Sequence, residues 1–266
     1  MLLVNTKLSV EQRLQKAVSD IMMNPKYIAL AGLLTLGERG VKDDVPTACT
    51  NGKDEWYGRD FVESLSDSEL RFLILHEVYH KLYRHLITWQ HLYKQNAMLA
   101  NKACDYVINI KLVDDNKDGF ATMTGELANG CFNEKYRGWD SAQVYNDLSS
   151  GDDEEGGGQG GQQPFDQHDW EGAEELTPEQ KRELAKDIDE AIRQGALIAG
   201  KLGSGGDRDL AELLQPQVDW REVLRDFITE TCAGSDYATY RRPNRRYIGM
   251  DIIMPSGVSE KVEELV

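Results

Sequence analysis

The sequence predicts an α+β fold, predominantly helical, in which a small β-hairpin or sheet sits beside one long buried helix and a helical C-terminal part follows. Three observations carry this expectation. Ser66-Asp67-Ser68-Glu69 has the form of a capping box and opens a run in which Leu70, Phe72, Leu73, Ile74, Leu75, Val78 and Leu82 make a helix apolar on most sides. Asn51-Gly52 lies between Val45-Pro46-Thr47-Ala48-Cys49-Thr50 and Glu55-Trp56-Tyr57-Gly58, a strong hairpin signal. Thr177-Pro178-Glu179-Gln180 places proline at the first position of another helix.

Taken in order, residues 8–36 read as two helices. Leu8, Val10, Leu14, Val18, Ile21 and Met22 give an amphipathic first one that Pro25 ends, and Tyr27 to Leu36 is apolar enough to be buried. The hairpin and the capped helix follow, and Asn101 to Ile110 is again helical in pattern. Residues 149–163 are acidic and rich in Gly and Gln with nothing apolar to bury, which predicts a flexible linker. Beyond it, the helix opened by Pro178 runs through Leu184, Ile188, Ile192 and Ile198, and a further one from Trp220 to Thr231 carries Val223, Leu224, Phe227 and Ile228. The expected organisation is therefore a core domain over 1–148, a linker over 149–164, and a helical region over 165–266 packing on the core.

The chain has 266 residues, enough for a sizeable core, and a net charge of −16 that argues against general nucleic-acid binding. Its four cysteines are scattered without a C-x-x-C pair, the usage of a reducing compartment. Met1 to Lys7 has no basic start leading into a long apolar run, and the most apolar segment, Ile28 to Leu36, is far too short to span a bilayer. The expectation is a cytoplasmic protein that engages neither nucleic acid nor membrane.

The chemistry concentrates in Leu75-His76-Glu77-Val78-Tyr79-His80, an H-E-x-x-H motif inside the capped helix. Residues four apart on a helix lie one above the other, so His76 and His80 can grip one cation from adjacent turns. Imidazole nitrogen suits zinc. Glu77 is rotated by about 100° from His76, which puts its carboxylate beside the metal, where a general base stands. The alternative is a capped helix whose histidines only satisfy core hydrogen bonds. A two-histidine site needs a third protein ligand. Asp105, among Ala103, Cys104, Val107 and Ile108, is the leading candidate, because an acidic residue in that setting wants a cation or an ion pair. Against it stands an acid near the start of its helix, balancing the dipole. His85 (if the helix bends), His168 and Cys131 are the other candidates. On a straight helix His85 points away from His76, and His91 lies about 22 Å along the axis. Both then read as surrounding or surface residues.

Three further features bear on the site. Tyr79, or an arginine of the Arg241 to Arg246 cluster such as Arg245, could donate to a developing oxyanion. The other reading of that cluster is pairing with the abundant acidic residues. His168, in Phe165-Asp166-Gln167-His168-Asp169-Trp170, could swing from its tether to block the metal, or could simply lie on the surface. The hairpin could offer its edge to an extended substrate by β-augmentation, or only cover the core.

The order of several short motifs resembles a known family. These are Pro46-Thr47-Ala48-Cys49-Thr50-Asn51-Gly52, the H-E-x-x-H run, Ala103-Cys104-Asp105-Tyr106-Val107-Ile108-Asn109, Trp139-Asp140-Ser141-Ala142-Gln143-Val144-Tyr145, Asp166 to Trp170, Val218-Asp219-Trp220-Arg221-Glu222-Val223-Leu224, and Arg242-Pro243-Asn244-Arg245-Arg246-Tyr247. Together they are similar to bacterial and phage zincin-type metallopeptidases with a C-terminal von Willebrand A-like domain. The resemblance implies a zincin-like core, Zn2+ held by His76, His80 and Asp105, Glu77 as catalytic acid and base, a peptide or protein substrate, and a MoxR-type AAA+ ATPase as partner. The chain departs from the family pattern at Glu263-Glu264-Leu265-Val266, where the A-like domain would begin; it is expected to be a fragment or a version without that domain. Two other functions fit the motif. A deformylase is one, although the glycine- and cysteine-bearing signature of that family is missing before the helix. The other is a catalytically idle zinc-binding adaptor serving the ATPase.

Overall fold

A computed structural model describes residues 8–150, 176–202, 237–241 and 253–258. The expected helix over 220–231, the acidic segment from residue 151 on, His168 and Arg245 all lie outside these residues. The chain divides into two compact units, Met1–Leu214 and Gln215–Val266. In the second, β4 (Tyr237–Thr239) pairs antiparallel with β5 (Ser256–Val258).

Helix α1 (Val10–Met23) starts at Ser9 with a reciprocal cap: the serine hydroxyl accepts from the Gln12 amide, and the Gln12 side chain accepts from the Ser9 amide. Val10, Leu14, Ala17 and Ile21 form its buried stripe. The stretch expected as a second helix is instead a 3-10 turn, Ile28–Leu30, leading into a single turn, α2 (Ala31–Leu34). It stops early because the Thr35 hydroxyl donates back to the Ala31 and Gly32 carbonyls, an alternative to continued helix.

The sheet has β3 (Glu55–Gly58) at its centre, flanked by β1 (Arg39–Lys42) in parallel and β2 (Ala48–Thr50) antiparallel. The β2–β3 connection is a four-residue loop, 51–54, rather than a bare two-residue turn. Asn51 shapes it, its side-chain oxygen accepting from the amides of Lys53 and Asp54 while Gly52 takes φ +90°. β1 pairs Arg39 with Glu55. Its sequence, Arg-Gly-Val-Lys, lacks the apolar alternation that would mark a strand.

A short helix, α3 (Arg59–Ser64), precedes α4 (Asp67–Leu82), which carries the motif and opens with the expected capping box between Ser66 and Glu69. All but three of its sixteen residues are buried. α4 does not run on. Arg84 adopts the left-handed conformation at φ 53°, closing the helix, and two short helices, α5 (His85–Thr88) and α6 (Gln90–Gln95), turn the chain back. α7 (Ala97–Asp115), capped by Asn96, then packs on α4. α8 (Ser141–Ser150) packs on α7 and takes in Ser149 and Ser150, which composition alone assigned to the linker.

α7 divides two hydrophobic clusters. Ile108 and Leu112 join the larger one, with α1, α4 and the sheet. Ala103, Tyr106 and Ile110 join the smaller, with Tyr136, Val144 and Tyr145. α9 (Pro178–Lys201) closes the larger cluster with Leu184, Ile188, Ala191, Ile192 and Ala199, while Ile198, expected inside, is exposed. No described helix is long and apolar enough to cross a membrane.

Two glycines let α9 lie directly on α2 and the 3-10 turn. A methyl group at Gly195 would sit 1.9 Å from the Ala29 carbonyl oxygen, and one at Gly32 would sit 1.9 Å from that of Ala191. Backbone cannot yield as a side chain does, so overpacking here must displace a helix. Gly195→Ala is expected to lower stability by about 1–3 kcal/mol, measured as a reduced urea midpoint; an unchanged midpoint would show that the contact is looser than described.

Candidate metal centre

Two helices, α4 and α7, each present polar side chains one turn apart on the faces they share. From α4 come His76 and His80, and from α7 come Asp105 and Asn109; all four side chains are fully buried. The His76 and His80 Nε2 atoms are 3.0 Å apart. Asp105 Oδ1 lies 3.7 Å from the first and 3.4 Å from the second. Among the described residues, His76, His80 and Asp105 form the group able to hold a metal ion. In a tetrahedral zinc site with bonds of about 2.0–2.2 Å, neighbouring ligand atoms stand about 3.3 Å apart. The observed triangle brackets that value, and the donor set, two imidazoles and a carboxylate, fits the ion.

Asp105 does not balance a helix dipole. α7 begins at Ala97, so Asp105 lies more than two turns in, past the reach of the terminal N–H groups. Glu77, next to His76 and fully buried, is close enough to Tyr57 and Lys81 for its charge to act on both.

His85 departs from the expectation for a straight helix. The left-handed Arg84 redirects the chain, and His85 Nδ1 comes to rest 3.2 Å from His80 Nδ1, the nitrogen on the far side of that ring from Asp105. Arg84 is itself tied to α9 by an ion pair with Asp189. The other sequence candidates divide. Tyr79 lies in the main core with its ring edge-on to Tyr83. The Cys131 carbonyl accepts from the Asn109 amide. His91 packs against Trp89 instead.

Behind the motif lies a buried ion cluster that no sequence spacing announces. Glu55, from the central strand, pairs with Lys81 at 2.7 Å and Arg39 at 2.5 Å, and accepts from the Tyr57 hydroxyl at 2.8 Å. Lys81 also donates to the Leu36 carbonyl. Burial would push the Glu55 carboxyl up, but Lys81 and Arg39 outweigh it and hold it at about 2. Burial pulls Lys81 below the ordinary lysine range despite Glu55. Burial and then the Glu55 charge hold the Tyr57 phenol well above its ordinary value. Lysine one residue after the second histidine was the available signal; its strand partners are far away in sequence.

A family described as "Putative metallopeptidase domain" matches residues 9–258. The chain belongs to that family. Neither a curated protein nor a solved structure matches it significantly. The family description fits a metallopeptidase domain with a buried His-His-Asp group able to bind metal.

Glu55 contributes stability above the ordinary carboxyl range, and that contribution drains away as the pH falls towards about 2. Glu55→Gln, which leaves buried Lys81 and half-buried Arg39 without their carboxylate, should cost about 3–5 kcal/mol at neutral pH and flatten the acid limb of stability. Urea denaturation at pH 7 and pH 3 checks both; a variant as stable as the parent at pH 7 would show that the cluster is energetically idle.

Proposed function

We propose that this metallopeptidase domain is a zinc-dependent peptide-bond hydrolase in which His76, His80 and Asp105 hold the ion and Glu77 is the general base. The observation that carries the reading is the approach of the two Nε2 atoms and Asp105 Oδ1 to within 3.0–3.7 Å of one another, on buried helix faces next to a buried glutamate. Zinc bound there supplies a Lewis acid that lowers the pKa of water to about 7 and polarises a carbonyl. Glu77 takes a proton from the attacking water and returns it to the leaving amine. Lys81, held by Glu55, lies close enough to Glu77 for the two charges to interact. β2, an outer strand of the three-stranded sheet, is suited to pair with an extended peptide backbone. The working compartment is the cytoplasm, and a MoxR-type AAA+ ATPase is the proposed partner.

Glu77→Gln keeps the size of the side chain and removes the base. It should lower hydrolysis of a peptide library by about 10²–10⁴-fold while one zinc per chain and the unfolding midpoint persist. Asp105→Ala or His80→Ala should lose the zinc. If the biological activity survives Glu77→Gln, the protein is a zinc-binding adaptor rather than an enzyme.

A further inference from the structure

We infer that Asn109 is a positioning residue that fixes which ring nitrogen of His76 carries its proton. Asn109 is fully buried and spans two partners: its Nδ2 lies 3.0 Å from the Cys131 carbonyl oxygen and its Oδ1 lies 2.8 Å from His76 Nδ1. A carbonyl oxygen only accepts, so the NH2 end of the amide must face Cys131. That leaves the amide oxygen facing His76, and it too only accepts. His76 Nδ1 therefore carries the hydrogen. A neutral imidazole has a single N–H, so His76 Nε2 presents a bare lone pair. Nε2 is the atom that lies 3.0 Å from His80 Nε2 and 3.7 Å from Asp105 Oδ1.

Donation thus runs one way, from His76 Nδ1–H to Asn109 Oδ1 and from Asn109 Nδ2–H to the Cys131 carbonyl, and no link can be reversed. His80 is held differently. Its Nδ1 faces the Nδ1 of His85, and between two imidazoles either ring can donate. α7 therefore does two things from one face: Asp105 offers an oxygen to the site, and Asn109, one turn on, turns a ligand towards it. His76 is ready for a cation before one arrives, and the ordering is completed on folding rather than on binding.

The ligand role rests on the zinc reading; the tautomer does not, and the test separates them. The metal-free protein, labelled with 15N-histidine, is examined by long-range 1H–15N correlation, with His76 assigned by its loss in His76→Gln. The expected pattern is a proton on Nδ1; an Nδ1 without its proton overturns the inference. Zinc affinity is then measured against a chromophoric chelator. Asn109→Leu should mix the tautomers and weaken zinc about 10–100-fold. Asn109→Asp keeps an acceptor opposite Nδ1 but loses the donor to the Cys131 carbonyl, and should preserve the Nδ1–H form and lose less zinc affinity than Asn109→Leu. Equal loss in both variants, or none in Asn109→Leu, counts against Asn109. If Asn109→Leu does not fold, the parent spectrum and the aspartate variant decide alone. A parent that shows Nδ1–H but binds no zinc supports the assignment of Asn109 and overturns the zinc site.

Discussion

Burying a carboxylate or an imidazole away from water is costly unless something inside replaces the solvent, and α4 and α7 bury two imidazoles and a carboxylate on the faces they share. That single constraint organises the centre of the molecule. His76, His80 and Asp105 are tolerable there because they meet, and they meet because each helix repeats its polar positions at an interval of four. The apolar residues around them, Leu73 and Val78 on one helix and Ile108 and Leu112 on the other, belong to one continuous core. Packing thus sets the distance between the polar groups, and the polar groups restrict which packing is acceptable.

The same reasoning extends outward through two ion-paired supports. On the sheet side, Glu55 gathers Arg39 and Lys81 from a strand and from the motif helix, joining β1, β3 and α4 through charges that cannot be left alone. On the other side, Asp189 of α9 meets Arg84, the left-handed residue that ends α4 and presents His85 to His80. α9 can do this only because Gly32 and Gly195 bring its backbone against α2. Elements distant in sequence therefore bear on one turn of helix, and the conformation of Arg84, unfavourable for a residue with a side chain, is held from outside.

Much of this is local in origin, and so readable in advance. The capping box at Ser66, the polar loop begun by Asn51 and the proline-led start of α9 are each set by residues within three or four positions. The helical interval does the same for His76 and His80, and the apolar setting of Asp105 marked it as a residue in need of a cation. β1 lacks a periodic signal, and its pairing is set by β3, a strand that follows it at a distance in sequence. His85 was placed on a straight helix, whereas one residue with positive φ turned it onto His80.

By itself, the sequence determined that one buried helix carries two histidines and a glutamate in metal-binding order, because helical geometry makes side-chain direction a function of spacing alone. Only the tertiary structure decided that Asp105 comes within reach of both histidines, that Asn109 contacts His76, and that Glu55 holds the lysine beside His80. Those relations depend on how two helices and a strand approach one another. That approach is fixed by the sum of many weak packing contacts along the whole chain, which no short stretch of residues encodes.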